Sequence, residues 1–158
     1  MKKAMVPGSF DPITLGHLDL IERAASMFDL VYVTVMVNAE KSTRFTLEER
    51  LQMAKASLSH IKNVKVEASD ALLADLAAER GVSVLVKGAR SGSDFDYEHA
   101  LAQINTELNG KLDTVILPSR KDTTYISSTY ARELIKYKKP LEGAVPPGAI
   151  ELIYKFEK

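Results

Sequence analysis

Pro7-Gly8-Ser9-Phe10-Asp11-Pro12-Ile13-Thr14-Leu15-Gly16-His17 stands between two segments of different periodicity. Before it, Lys3-Ala4-Met5-Val6 is a short apolar run that reads as a strand. After it, Leu18 to Phe28 repeats apolar residues at helical spacing. The eleven residues therefore join strand to helix. In an alternating α/β chain such a junction lies at the carboxyl edge of the sheet, where ligands bind. The helix start adds unpaired N–H groups and a partial positive charge, which suit an anion such as phosphate.

Within the loop, Gly8 lets the backbone pass close to a ligand, Pro12 stiffens the path and Ser9 supplies a small hydroxyl. Gly16 leaves His17 little steric competition in the first helical turn. An imidazole there can donate an N–H to a phosphoryl oxygen in either protonation state. The sequence leaves that state open, because the helix end favours the neutral ring and a polyphosphate the charged one. Taken singly, the loop also reads as a tight connection and His17 as a capping or surface residue.

The chain has 158 residues with Lys+Arg and Asp+Glu balanced at 21 each, which predicts one domain over 1–158. That balance argues against a nucleic-acid or membrane-surface binder, so an anion site must be a local concentration of basic groups. Without cysteine, disulfides, thiolate catalysis and cysteine-held metals are excluded. Met1 to Pro7 lacks the apolar core of a signal peptide, and Leu30 to Val37 is too short to span a bilayer. The expectation is a cytoplasmic protein.

Leu30 to Val37 reads as a strand covered on both faces. The loop Asn38 to Phe45 carries Lys41 and Arg44 and precedes Thr46-Leu47-Glu48-Glu49, a capping box opening a helix to about Ile61. Asn63 to Ala68 alternates like an edge strand. Asp70 to Arg80 repeats Leu72, Leu73, Leu76 and Ala77 at helical spacing and stops at Gly81. Val82 to Val86 is a buried strand ending in Lys87-Gly88-Ala89-Arg90, where two cations flank a glycine. Ser93 opens a helix to about Leu108, and His60 and His99 read as surface histidines. Asp113 to Leu117 is the fifth strand. Pro118 then starts a polar loop to Ile126, and Ser127-Ser128-Thr129 places three hydroxyls at a helix opening. One of them suffices for an N-cap, and three in a row argue for an oxyanion cradle built from side chains and helix N–H groups. Lys136 to Lys139 is a basic run at a helix end. A last helix from Val145 to about Phe156 docks through Ile150, Ile153 and Tyr154. The order predicts a Rossmann-like, doubly wound, five-stranded parallel sheet in the order 3-2-1-4-5. Strand four then adjoins strand one, and Lys87 and Arg90 face Ser9 and His17 across one crevice.

Thr14-Leu15-Gly16-His17 is similar to the T/H-x-G-H signature that the nucleotidylyltransferase superfamily shares with class I aminoacyl-tRNA synthetases. The whole stretch from Pro7 to His17 closely resembles the amino terminus of the bacterial phosphopantetheine adenylyltransferase family, which joins 4'-phosphopantetheine to the AMP part of ATP. Phe45-Thr46-Leu47-Glu48-Glu49-Arg50 matches a family motif preceded by a phosphate-binding lysine, a role the resemblance gives to Lys41 and not to Arg44. Lys87-Gly88-Ala89-Arg90 resembles the family's Arg-Gly-x-Arg, with Lys87 where arginine is usual. Asp94-Phe95-Asp96-Tyr97-Glu98 resembles Asp-Phe-x-Tyr-Glu, which sets Glu98 beside the nucleotide. Ile126-Ser127-Ser128-Thr129 fits a segment that lies along the ATP phosphates. Ser9 stands where threonine is common.

The resemblance implies a substrate set of Ser9, Lys41, Leu73 and Lys87. Its ATP set is Ser9, Phe10, His17, Gly88, Ala89, Arg90, Glu98 and the run Thr123, Thr124, Tyr125, Ile126, Ser127, Ser128 and Thr129. His17 becomes the stabiliser of the transition state, with Ser9 and Lys41 aligning the attacking phosphate. It further implies Mg2+ held by substrate phosphates, a homohexamer, and coenzyme A as a feedback ligand.

The chain lacks a Walker lysine loop, a Gly-x-Gly-x-x-Gly turn and an activated-serine motif. Displacement at phosphorus fits when the nucleophile arrives ionised, and a phosphomonoester, with a second pKa of about 6, does so. In-line attack of the 4'-phosphate on the α-phosphorus of ATP then needs no general base and no covalent intermediate. A cytidylyltransferase or another adenylyltransferase shares the histidine loop. Against the former, Asp122-Thr123-Thr124-Tyr125 stands where cytidylyltransferases carry the start of Arg-Thr-x-Gly-Ile-Ser-Thr-Thr. A non-catalytic nucleotide sensor is the alternative from another class.

Overall fold

Each of the five apolar runs forms a strand, and a helix follows each in a computed structural model that describes residues 1–158. The strands are β1 (Lys3–Gly8), β2 (Leu30–Met36), β3 (Val64–Ser69), β4 (Val84–Ala89) and β5 (Asp113–Pro118). The helices are α1 (Leu15–Met27), α2 (Leu47–Leu58), α3 (Leu73–Arg80), α4 (Gly92–Leu108), α5 (Ser128–Lys136) and α6 (Pro147–Phe156). All neighbouring strands pair in parallel, in the order β3-β2-β1-β4-β5. The β1–β4 junction is where the strand order reverses, and the loops leaving both strands open on the same sheet edge.

Alternation along the central strands divides the interior. Ala4 and Val6 of β1, Val31, Val33 and Val35 of β2 and Val86 of β4 turn to a large core shared with α1, α2, α5 and α6. Met5 and Leu85 turn the other way, onto Ala74, Leu76 and Ala77 of α3. That second layer is thin, because α4 has no fully buried residue along its length. Edge strand β3 has no fully buried residue either, which matches its alternating sequence.

Several boundaries move by one to three residues. Strand β4 runs on through Lys87, Gly88 and Ala89, so these residues belong to the sheet edge and not to a loop, and their backbone pairs with Ile116, Leu117 and Pro118. Helix α3 starts at Leu73, later than Asp70, with no side-chain cap. The capping box of Thr46 and Glu49 forms as the sequence predicts. In α6, Ile153 is buried and Ile150 packs against the core, but Tyr154 is half exposed and does not dock. The α6 backbone lies so close to α2 that a Cβ on Gly148 would stand 2.6 Å from the Ala56 carbonyl oxygen.

Candidate active site

The loops leaving β1, β2, β4 and β5 enclose a cavity of about 740 Å³, a size suited to a nucleotide with a second small substrate. Six cationic side chains, Arg23, Lys41, Arg44, Lys87, Arg90 and Arg132, line it against three carboxylates, Asp11, Asp19 and Glu98. A chain with no net charge thus concentrates positive charge at one place.

The wall begins with the strand-to-helix loop. Phe10 takes a positive φ of 48° and is buried, so its ring lies beside Gly8, where a Cβ would come within 3.1 Å of it. Gly8 thus makes room for Phe10, and the ring in turn meets His17 edge-on at 4.9 Å. Gly16 likewise admits the last polar loop, since a Cβ there would sit 3.1 Å from the Ile126 carbonyl. Asp11 is nearly inaccessible, and its carboxylate accepts the N–H groups of Arg44 at 2.9 Å and Phe45 at 3.0 Å. Arg50, also buried, donates to Ser9 O at 2.7 Å, Met36 O at 3.1 Å and Phe45 O at 3.3 Å. Asp11 and Arg50 therefore bolt the β1 and β2 loops together. Both lie inside quoted motifs, and only Asp11, between Phe10 and Pro12, stands as a charge among apolar neighbours.

His17 resolves a question the sequence left open. The Thr14 N–H donates to His17 Nδ1 over 3.0 Å, completing a capping box at the start of α1. A ring nitrogen that accepts carries no proton, so the neutral imidazole bears its hydrogen on Nε2. Burial, then the charges of Arg90 and Lys87, hold the ring down to about 4 from 6.5. At neutral pH His17 is an uncharged Nε2–H donor on the cavity wall, and Nε2 has no partner within the protein. It is at once a capping residue, through Nδ1, and a free donor, through Nε2.

The opposite wall comes from β4 and α4. Lys87 pairs with Glu98 at 3.3 Å, while Arg90 holds Asp94 loosely at 3.6 Å. His17, Lys87 and Arg90 line the same space, as the 3-2-1-4-5 order requires. At the third wall, the hydroxyls opening α5 are already engaged. Ser127 caps Tyr130 N–H at 3.0 Å, Ser128 donates to Pro12 O at 2.9 Å, and Thr129 accepts from Arg132 at 3.1 Å. The N–H groups of Ser128 and Thr129 have no acceptor within the protein, so the open donors there are backbone.

The cavity gathers Ser9, Phe10, His17, Lys41, Lys87, Gly88, Arg90, Glu98, Thr123, Ile126, Ser127, Ser128 and Thr129. Leu73, Ala89, Thr124 and Tyr125 do not line it. Leu73 packs under Met5 and Leu85 in the smaller core, and Tyr125 is exposed against Tyr130. Sequence reasoning missed the rim formed by Asp19, which holds Arg23 at 3.3 Å and Arg120 at 3.2 Å. It also missed Arg132, which donates to Asp11 O at 2.8 Å.

A cytidylyltransferase-like family profile matches residues 5–134, the span that carries all four loops around the cavity. A phosphopantetheine adenylyltransferase of Symbiobacterium thermophilum is 49% identical over 100% of this chain and 98% of its own length. The chain belongs to the phosphopantetheine adenylyltransferase family. Two further members, from Shouchella clausii and Psychromonas ingrahamii, are 40% and 42% identical, over 92% and 93% of this chain and 92% and 91% of theirs. The fold also matches the crystal structure of a Vibrio parahaemolyticus protein named as a nicotinate-nucleotide adenylyltransferase. That match has a TM-score of 0.74 and 22% identity, over 98% of this chain and 93% of that one.

Proposed function

We propose that the chain transfers the adenylyl group of ATP to 4'-phosphopantetheine, giving dephospho-coenzyme A and pyrophosphate in coenzyme A biosynthesis. The observation that carries this reading is the neutral Nε2–H of His17, aimed into a cationic cavity in a chain of this family. An oxygen of the 4'-phosphate dianion attacks the α-phosphorus in line. The bond from that phosphorus to the bridging oxygen breaks, and its electron pair leaves with pyrophosphate. No proton has to move, so the site needs donors and charge more than a base.

Ser9 Oγ makes no bond within the protein and, with Lys41, aligns the attacking phosphate. His17 Nε2–H and the free N–H groups of α5 take the growing charge on the equatorial oxygens, while Lys87 and Arg90 offset charge on the substrates. Lys87 reaches phosphate as a point charge, without the bidentate fork of an arginine. Mg2+ travels on the phosphates. Asp11 is taken by two N–H groups, Asp19 by two guanidiniums and Glu98 by Lys87, so phosphate oxygens are the better ligands.

The chain self-associates, to a homohexamer in this reading. Its support is α4, which leaves Phe95, Tyr97, Ile104 and Leu108 about half exposed beside the somewhat less open Val115 of β5. Coenzyme A feeds back because a nucleotide joined to a pantetheine arm fills both halves of the same cavity. We place the reaction in the cytoplasm, where MgATP is supplied; no helix is long and apolar enough to cross a membrane.

Pyrophosphate release with MgATP and 4'-phosphopantetheine tests the reading, with CTP and other phosphomonoesters as comparisons. Turnover confined to CTP would make the chain a cytidylyltransferase. Nucleotide binding without pyrophosphate release in any combination would make it a sensor.

A further inference from the structure

The loop between β2 and α2 carries Lys41, and little holds its middle. Glu40 N–H bonds Asn38 Oδ1 at 3.0 Å and Lys41 N–H bonds Asn38 O at 3.1 Å, both within the loop itself. Lys41 and its neighbours Glu40 and Ser42 are exposed. Connection to the rest of the molecule comes at Arg44. Its N–H meets Asp11, and its guanidinium reaches out to Glu157, just past the last turn of α6. That pair is a fork-to-fork contact, Nε to Oε1 at 2.9 Å and Nη2 to Oε2 at 2.7 Å. Both side chains are about two-thirds covered, and 113 residues of chain separate them.

The pair differs from an ordinary surface ion pair in two respects. Two parallel bonds fix the guanidinium plane, so the backbone that bears it is held in orientation as well as position. The helix at the far side is rigidly placed, because Gly148 lets α6 press against the α2 backbone at its other end. Arg44 also sees Glu157 strongly enough for that bond and charge to hold its proton more tightly than usual.

We propose that Glu157 is a positioning residue for the phosphate-bearing co-substrate: it latches Arg44, and through Arg44 fixes the Lys41 loop in its binding position. This rests on the functional reading above for the identity of the co-substrate, though the latch itself does not. Glu157 lies outside the cavity, so its effect reaches the substrate only through the loop.

The sign of the effect separates a latch from simple electrostatics. Deleting a carboxylate near a cationic site should, by Coulomb's law alone, tighten the binding of an anion. A latch gives the reverse. Glu157→Ala should raise KM for 4'-phosphopantetheine about three- to fivefold, as for a well-formed but partly solvated pair, and leave KM for ATP unmoved. In an Arg44→Ala background, Glu157→Ala should add nothing. Glu157→Gln keeps the shape and one acceptor and should fall between.

Hydrogen exchange across 38–45 gives a readout independent of turnover. Amides there, Arg44 and Phe45 included, should exchange several-fold faster in Glu157→Ala, with the strands unchanged. An unchanged or lower KM for the co-substrate, or an equal rise for both substrates, overturns the latch. So does loop exchange no faster than wild type, or acceleration spread over the whole chain, in Glu157→Ala. If the wild-type chain releases no pyrophosphate, the functional reading fails, and the exchange experiment still decides whether the latch exists.

Discussion

Replacing His17 by alanine removes one donor from the reacting group while leaving every charged side chain of the cavity in place. The structure fixes what that donor is. Thr14 N–H occupies Nδ1 and the ring is neutral, so the reacting group loses a single uncharged Nε2–H in a cationic, protein-walled space, and the α1 cap loses its Nδ1 acceptor beside it. Preorganised donors of this kind contribute roughly 3–4 kcal/mol to a transition state that gathers charge, which corresponds to a fall in kcat of about 100- to 1000-fold. KM for both substrates should change little, since the contact strengthens as the phosphorus becomes five-coordinate. Single-turnover measurement of pyrophosphate formation isolates the chemical step. The pH profile adds a second demand. With the ring at about 4, the acid limb of kcat/KM belongs to the phosphate nucleophile near a pKa of about 6, so it should survive in the variant. A kcat within tenfold of wild type, or an acid limb that vanishes with the imidazole, would refute the reasoning.

The same histidine should make stability depend on pH. Its folded pKa lies below 6.5, so the neutral ring contributes stability that is present above pH 6.5 and is lost as pH falls toward 4. At ~1.4 kcal/mol per unit the shift corresponds to roughly 3 kcal/mol, which water in the open cavity screens to about 1–2 kcal/mol; urea titrations of His17→Ala should show a flatter slope over that window. Arg50→Met takes the guanidinium donor from Ser9 O and Met36 O, while Phe45 O keeps Thr43 Oγ1, and calorimetry should show a loss of roughly 2–4 kcal/mol, a fall in Tm of about 5–15 °C. Gly148→Val drives a side chain into the Ala56 carbonyl and should cost about 1–3 kcal/mol by urea unfolding, with α6 shifted off α2. Ile104→Ser with Leu108→Ser on α4 should yield smaller particles by sedimentation while each monomer stays folded; particles of unchanged mass would move the interface elsewhere.

Strand number and helix number were legible because each depends on local periodicity, and the sheet order is the usual one of doubly wound sheets. The expectation that His17 and Arg90 share one crevice came from the same source. Strand β4 was read three residues short because Lys87 and Gly88 look like a loop when only composition is considered. They extend because β5 offers a parallel partner at each position, which no local pattern records. Of the two donor sets expected where α5 opens, the hydroxyls of Ser127 to Thr129 are spent on the protein, which leaves the helix N–H groups as the open donors. Tyr154 fits an apolar helical stripe, yet the rotation of α6 about the close contact at Gly148 leaves it outside.

By itself the sequence determined the sheet, the edge on which chemistry sits and the family, since these follow from residue types at fixed short spacings. The tertiary structure alone decided which nitrogen of His17 carries the hydrogen, because a single N–H from Thr14 selects it. It alone joined Arg44 to Glu157 and Arg50 to the carbonyls of Ser9 and Met36. Such bonds close only after the chain has folded back on itself, and the direction of a donor is a property of space that a linear order of residues does not contain.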